Sequence, residues 1–234
     1  MNYDLKMSQF ENLKMSIAQN LLDIKSFLPE NVTLVAVSKT KPVADLMEAY
    51  EAGQRIFGEN KIQEMTEKWQ QMPKDIEWHM IGHVQSNKVK YMVPYVKLIH
   101  GVDSLKLLKE INRQAVRWRK NINCLLQIHI AEEETKFGLN EQELEDLLHA
   151  EEFKAMTNIK IVGLMGMATF TDNQEQIKRE FNHLKKIFDS LKNQPTTQNL
   201  QPTTLSMGMS GDYQIAIDCG STMVRIGSSI FGGR

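Results

Sequence analysis

Eight short apolar runs, each followed by a stretch long enough for a helix, constrain this chain more than any single motif. The expected strands are Val32–Val37, Arg55–Phe57, Glu77–Ile81, Lys97–His100, Asn123–Ile130, Ile159–Met165, Thr203–Met207 and Thr222–Ile226. Helical patterning is expected over Val43–Ala52, Lys61–Gln71, Ser104–Lys120, Glu141–Ala150 and Gln174–Leu191, and Asn140 with Glu143 reads as a capping box. Ahead of the first run, Phe10, Leu13, Ile17, Leu21 and Ile24 recur in steps of three and four, the stripe of an amphipathic helix over Leu5–Leu28 that Pro29 stops.

Alternating β and α elements imply a parallel sheet with right-handed crossovers. The sheet is either open and doubly wound or closed on itself. Sharing 234 residues among eight units leaves about 29 each, which suits closure, since a β/α barrel runs to ~250 residues. No strand is followed by the GxGxxG of a dinucleotide fold. The stretch 193–204 (NQPTTQNLQPTT) is expected to be a long surface loop, because the 30 residues beyond it are too few for a second domain. The expected architecture is therefore one domain, 1–234, a single (β/α)8 TIM-type barrel with an extra helix within 1–30 packed on it.

Composition narrows the function classes. Lys plus Arg number 28 and Asp plus Glu 29, a net charge of −1, which argues against binding nucleic acid or a membrane surface by bulk charge. With 41% hydrophobic and 24% charged residues the chain can fill a core. Cys124 and Cys219 are too few for a disulfide scaffold and fit a reducing compartment. The N-terminal MNYDLKMSQF has no signal-like apolar stretch, and no run approaches the ~18 apolar residues of a membrane span. A cytoplasmic monomer is expected, with neither nucleic acid nor membrane as partner.

Barrel function gathers at the C-terminal ends of the strands. Alternation puts Lys39, just past the first strand, on the same face as Val35 and Val37. Desolvation at such a place favours the neutral, nucleophilic amine that imine chemistry needs, although a strand-end lysine also commonly snorkels to solvent. In the last strand Met223, Arg225 and Gly227 share the lumen face, and the arginine needs an acceptor: a carboxylate, a phosphate or a ring nitrogen. Gly227 permits close backbone approach, and Ser228-Ser229 opens a short helix whose N–H groups suit an anion. Ser210 and Gly211 follow the seventh strand, and loops after strands seven and eight commonly hold phosphate in barrels. Ordinary capped turns remain an alternative there. His79 and His83 lack the helix of an HExxH site, so no metal centre is expected. From residues alone, a barrel enzyme acting on sugar phosphates also stays open.

AVSKTKP (36–42), FGEN (57–60), EWHMIGHVQSNK (77–88), TKFGL (135–139), GLMGMAT (163–169), LSMGMSGD (205–212) and GSTMVRIGSSIFGGR (220–234) occur in order along nearly the whole chain after residue 31. Together they identify a resemblance to the pyridoxal phosphate homeostasis protein family, which shares its barrel with the alanine racemase N-terminal domain (fold type III among enzymes using pyridoxal 5'-phosphate, PLP). His83 departs from that pattern, where a proline is more usual.

The resemblance implies PLP as cofactor, held as a Schiff base on Lys39, with Lys41 the neighbour most easily confused with it. It implies Arg225 at the pyridine nitrogen, Ser210, Gly227 and Ser228 at the phosphate, and Met167 against the ring face. Lys136 takes the place of a racemase arginine on the phenolic side, and Asn60 and His79 complete the pocket. The implied function is a non-catalytic PLP-binding protein that buffers, carries or delivers the cofactor, with PLP-dependent apoenzymes as recipients. The alternative is a PLP-dependent amino-acid racemase. Against it stands a permanently charged guanidinium beside the ring nitrogen, which disfavours the protonated electron sink. Racemisation also requires a second base, which alanine racemase draws from a C-terminal β-domain and dimer partner and which is expected to be missing here.

Overall fold

Alternation along the strands sorts their side chains into two packed regions. Val35, Leu98, Leu125, Met165 and Met223 meet inside the sheet, with Met167 packed against them. Leu34, Ala36, Val224 and Ile226 point the other way, into one cluster with the helix residues Leu46, Leu108, Ile111 and Phe181. A sheet buried on both faces closes and carries helices outside. The computed structural model describes residues 16–133, 137–194 and 198–233.

The strands are β1 (Thr33–Val37), β2 (Ile56–Glu59), β3 (Glu77–Met80), β4 (Val96–Val102), β5 (Ile122–Gln127), β6 (Ile159–Met165), β7 (Leu200–Met209) and β8 (Met223–Ile226). They form a closed parallel barrel in sequence order. Closure runs through β1 and β8, with Thr33 opposite Met223 and Val35 opposite Arg225. The helices are α1 (Ile17–Phe27), α2 (Val43–Glu51), α3 (Ile62–Gln71), α4 (Val89–Met92), α5 (Leu105–Trp118), α6 (Glu141–His149), α7 (Glu151–Lys154), α8 (Gln174–Lys192), α9 (Tyr213–Asp218) and α10 (Ser228–Phe231).

The extra N-terminal helix is present as α1. Ser16 caps it by accepting the Gln19 N–H at 3.1 Å, and Leu21 and Ile24 are its buried residues. Asn20 Nδ2 donates to the Ile230 carbonyl at 3.0 Å, tying α1 to α10. Of the expected span from Leu5 to Leu28, residues 5–15 lie outside the described residues. The Asn140–Glu143 capping box forms in both directions.

Three expectations need correction. The supposed loop over 193–204 is strand from Leu200 onward, pairing Leu200 with Ile161 and Thr204 with Gly163. The register shifts between Ile161 and Gly163, where Gly163 takes φ +153° and a Cβ would stand 1.7 Å from the Thr204 carbonyl oxygen. Sheet pairing thus overrides a polar, proline-bearing composition. The strand expected to run through Ile130 ends at Gln127, with Ile128 making an isolated bridge to Leu139. Finally, the strand expected over Arg55–Phe57 runs over Ile56–Glu59.

Candidate cofactor site

The loops after several strands enclose a cavity of 640 Å³ at the C-terminal mouth of the barrel. Lys39, Asn60, Met167, Ser210, Arg225, Gly227 and Ser228 all line it. They arrive from β6, β7, β8, β1 and β2, an unbroken arc of neighbouring strands. Lys136 lies outside the described residues.

Lys39 follows β1 in a tight turn, with the Lys41 N–H donating to the Ser38 carbonyl at 3.1 Å. The next residue, Thr40, has φ +64°. This left-handed conformation is costly for a β-branched side chain and concentrates at functional sites. Lys41 is committed elsewhere: its Nζ donates to the carbonyls of Phe231 at 3.0 Å and Gly233 at 2.9 Å.

Arg225 is 4% exposed and rests on neutral acceptors. Its Nη1 donates to the Ser206 carbonyl at 3.0 Å and hydroxyl at 2.7 Å, and its Nη2 to the Gly166 carbonyl at 3.2 Å. Burial lowers its pKa to about 10, opposed by the nearby Asp212. Asp212 is itself raised, chiefly by burial, while the Met209 N–H donates to its Oδ1 at 2.5 Å. Among the described residues no carboxylate forms an ion pair with Arg225, so a buried cation stands at the cavity wall with room for an acceptor.

One corner of the cavity is built by the loops after β7 and β8. The Gly227 N–H donates to Ser210 Oγ at 3.1 Å, at the start of α10. Space at Gly227 is tight, since a Cβ there would meet the Val37 carbonyl oxygen at 3.0 Å. Met167 continues the alternation of Met165 and packs on the lumen cluster. Asn60 is pressed from behind by Gly82, where a Cβ would fall 2.5 Å from the Asn60 carbonyl oxygen.

His79 is not in the cavity wall. It lies below it, 2% exposed, with Nδ1 3.1 Å from His100 Nε2. His100 Nδ1 in turn meets Ser206 Oγ at 3.2 Å. Arg225 donates to that same hydroxyl, so Ser206 links the guanidinium to the two rings, which burial keeps neutral. His100 and Ser206 were not expected at the site, although period-two alternation along β4 and β7 places both on the lumen face; Gln127 and His83 also join the wall without having been expected there.

A closed parallel barrel with a cavity at the C-terminal ends of its strands is the fold class of alanine racemase N-terminal domains. Residues 14–234 match the family described as "Alanine racemase, N-terminal domain". The chain belongs to the pyridoxal phosphate homeostasis protein family, being 40% identical over 233 residues to the protein of that name from Pasteurella multocida (strain Pm70), across 94% of this chain and 98% of that one. The structure of PipY from Synechococcus elongatus PCC7942, with PLP bound, is similar at a TM-score of 0.83 and 34% identity, covering 92% of this chain and 100% of PipY. Alanine racemase from E. faecalis shares the fold at a TM-score of 0.76 and 15% identity, over 94% of this chain and 58% of the racemase. No helix among the described residues is long and apolar enough to cross a membrane.

Proposed function

We propose that this protein binds PLP in the barrel-mouth cavity, covalently through Lys39, and serves PLP homeostasis by buffering, carrying or delivering the cofactor. The observation that carries this reading is the convergence of the Lys39 side chain, the buried Arg225 and the Ser210–Gly227 corner on one cavity. The residues fit the group: an amine for the aldehyde, hydroxyl and N–H donors for the phosphate, and a buried guanidinium on neutral acceptors for the ring nitrogen. Bound there, PLP supplies an electrophilic aldehyde carbon and a conjugated ring.

The chain's own groups have separate tasks. Lys39 provides the nucleophilic amine. Ser210, Gly227 and Ser228 bind the phosphate, and Met167 packs against the ring. Asn60 completes the wall, and Lys136 is assigned to the phenolic side. Arg225 keeps its charge and disfavours a proton on the ring nitrogen, which weakens the ring as an electron sink. His79, placed beneath the cavity, acts on Arg225 only through His100 and Ser206.

On this reading the protein works as a single unit, a monomer of the cytoplasm, where its two buried thiols stay reduced. Its partners are PLP and the PLP-dependent apoenzymes that receive it. The deciding experiment is mass spectrometry of protein treated with PLP and borohydride. A reduced adduct on Lys39 supports the reading; no adduct, or one elsewhere, sinks it. Racemisation of pure L- or D-amino acids at turnover well above a Lys39→Ala control would instead establish a racemase.

A further inference from the structure

The turn that presents Lys39 is gripped on both sides by a buried ion cluster to which the binding chemistry assigns no task. Its centre is Lys68 on α3, 5% exposed. Lys68 Nζ donates to the Ser38 carbonyl at 2.8 Å, to Glu59 Oε1 at 2.7 Å and to Glu64 Oε1 at 2.7 Å, which uses all three ammonium hydrogens. Ser38 Oγ adds a bond to Glu59 Oε1 at 2.7 Å. Glu64 Oε1 also accepts the Thr40 N–H at 2.6 Å. The residue before Lys39 is thus held by its carbonyl and hydroxyl, and the residue after it by its amide.

Such a cluster is a poor way to gain stability. Two carboxylates share one ammonium, and burial of Glu59 raises its pKa despite Lys68. Among the described residues Glu59 Oε2 has no hydrogen-bond partner. Buried ion pairs of this kind are weak evidence for a stabilising role and are better attested where they fix a particular arrangement. Here the arrangement is identifiable: Thr40 sits at φ +64°, a conformation a threonine leaves unless something holds it. The Thr40–Glu64 hydrogen bond is a latch on that peptide, and Lys68 holds the latch.

We propose that Glu64 and Lys68 are positioning residues for Lys39, clamping the 38–40 backbone so that the amine meets the aldehyde carbon without rearrangement. This rests on the reading of Lys39 as the attachment point. Preorganisation of this kind acts on the rate of bond formation and leaves non-covalent binding unchanged.

The test follows covalent attachment of PLP by absorbance, and non-covalent affinity with pyridoxine 5'-phosphate, whose alcohol cannot condense. Glu64→Ala is expected to slow attachment about tenfold, the loss of one charge-assisted hydrogen bond. Glu64→Asp, which keeps the charge near Lys68 but withdraws the oxygen from Thr40, slows it similarly. Glu64→Gln, whose amide oxygen still accepts the Thr40 N–H, restores the rate to within about twofold. Affinity for pyridoxine 5'-phosphate stays unchanged throughout. In the ligand-free protein the Thr40 amide is protected from hydrogen exchange, and Glu64→Ala abolishes that protection while the rest of β1 keeps its own.

Attachment to Lys39 at the wild-type rate in both Glu64→Ala and Glu64→Asp overturns this proposal and leaves the cofactor reading standing. Wild-type protein that forms no adduct overturns both.

Discussion

His79 and His100 face each other across neighbouring strands with Nδ1 and Nε2 3.1 Å apart, under the floor of the cavity. Among the described residues neither ring has a carboxylate partner, and both are buried. Burial, with a lesser push from Lys97, lowers the His79 pKa to about 3. His100 falls well below the ordinary value through burial, then through the charges of His79 and Arg225. The unfolded chain therefore binds more protons than the folded one below pH ~6.5.

Stability contributed by this pair is full above the unfolded value and is lost as pH falls toward the folded one. Unfolding free energies from urea titrations, measured from pH 7 downward, should decline with a slope of up to about 1.4 kcal/mol per pH unit for each histidine. The Glu59 carboxyl, raised by burial, has the opposite sign. Comparison with a His100→Asn variant isolates the histidines, and that variant should show the shallower decline.

Lys39→Ala should abolish the yellow, borohydride-reducible adduct. Lys41→Ala should leave it in place, because the Lys41 amine is engaged by the Phe231 and Gly233 carbonyls. Peptide mapping after reduction reads both outcomes, and an adduct that disappears only with Lys41 reassigns the attachment.

Ser210→Ala removes the hydroxyl that the Gly227 N–H now uses. PLP retention in dialysis should weaken about tenfold, the scale of one hydrogen bond to a charged group. The absorbance of what remains bound should not shift, since the phosphate corner does not touch the chromophore's conjugation. A spectral change at unchanged retention would move Ser210 away from the phosphate.

Arg225→Ala should change how the bound chromophore's absorbance depends on pH, because it removes the cation assigned to the ring nitrogen. Covalent attachment should persist. A pH titration of absorbance alongside adduct mass separates these effects, and loss of the adduct with no change in titration would give Arg225 a purely structural task.

The strand-end positions show how much could be read along the chain. Period-two alternation put Lys39 with Val35 and Val37, Arg225 with Met223, and Met167 with Met165, and all of these share the lumen or its mouth. Such patterns are local, so they survive without knowing what packs where. The capping box at Asn140 and the short helix opened by Ser228 are local in the same sense. β7 was not local: Leu200, Gln201 and Pro202 are strand because β6 lies beside them, and nothing in NQPTTQNLQPTT announces that neighbour.

The amino-acid order by itself determined the number of β/α units, their parallel closure and the face on which each strand-end side chain lies, because these follow from the periods of helix and strand. Only the tertiary structure decided which lysine is held for another purpose, that His79 sits beneath the cavity, and that Lys68 grips the backbone on both sides of Lys39. Those facts depend on contacts between Lys41 and Phe231, His79 and His100, and Ser38 and Lys68. Residues 20 to 190 positions apart meet only when the barrel closes, and the spacing of a sequence carries no distance across that gap.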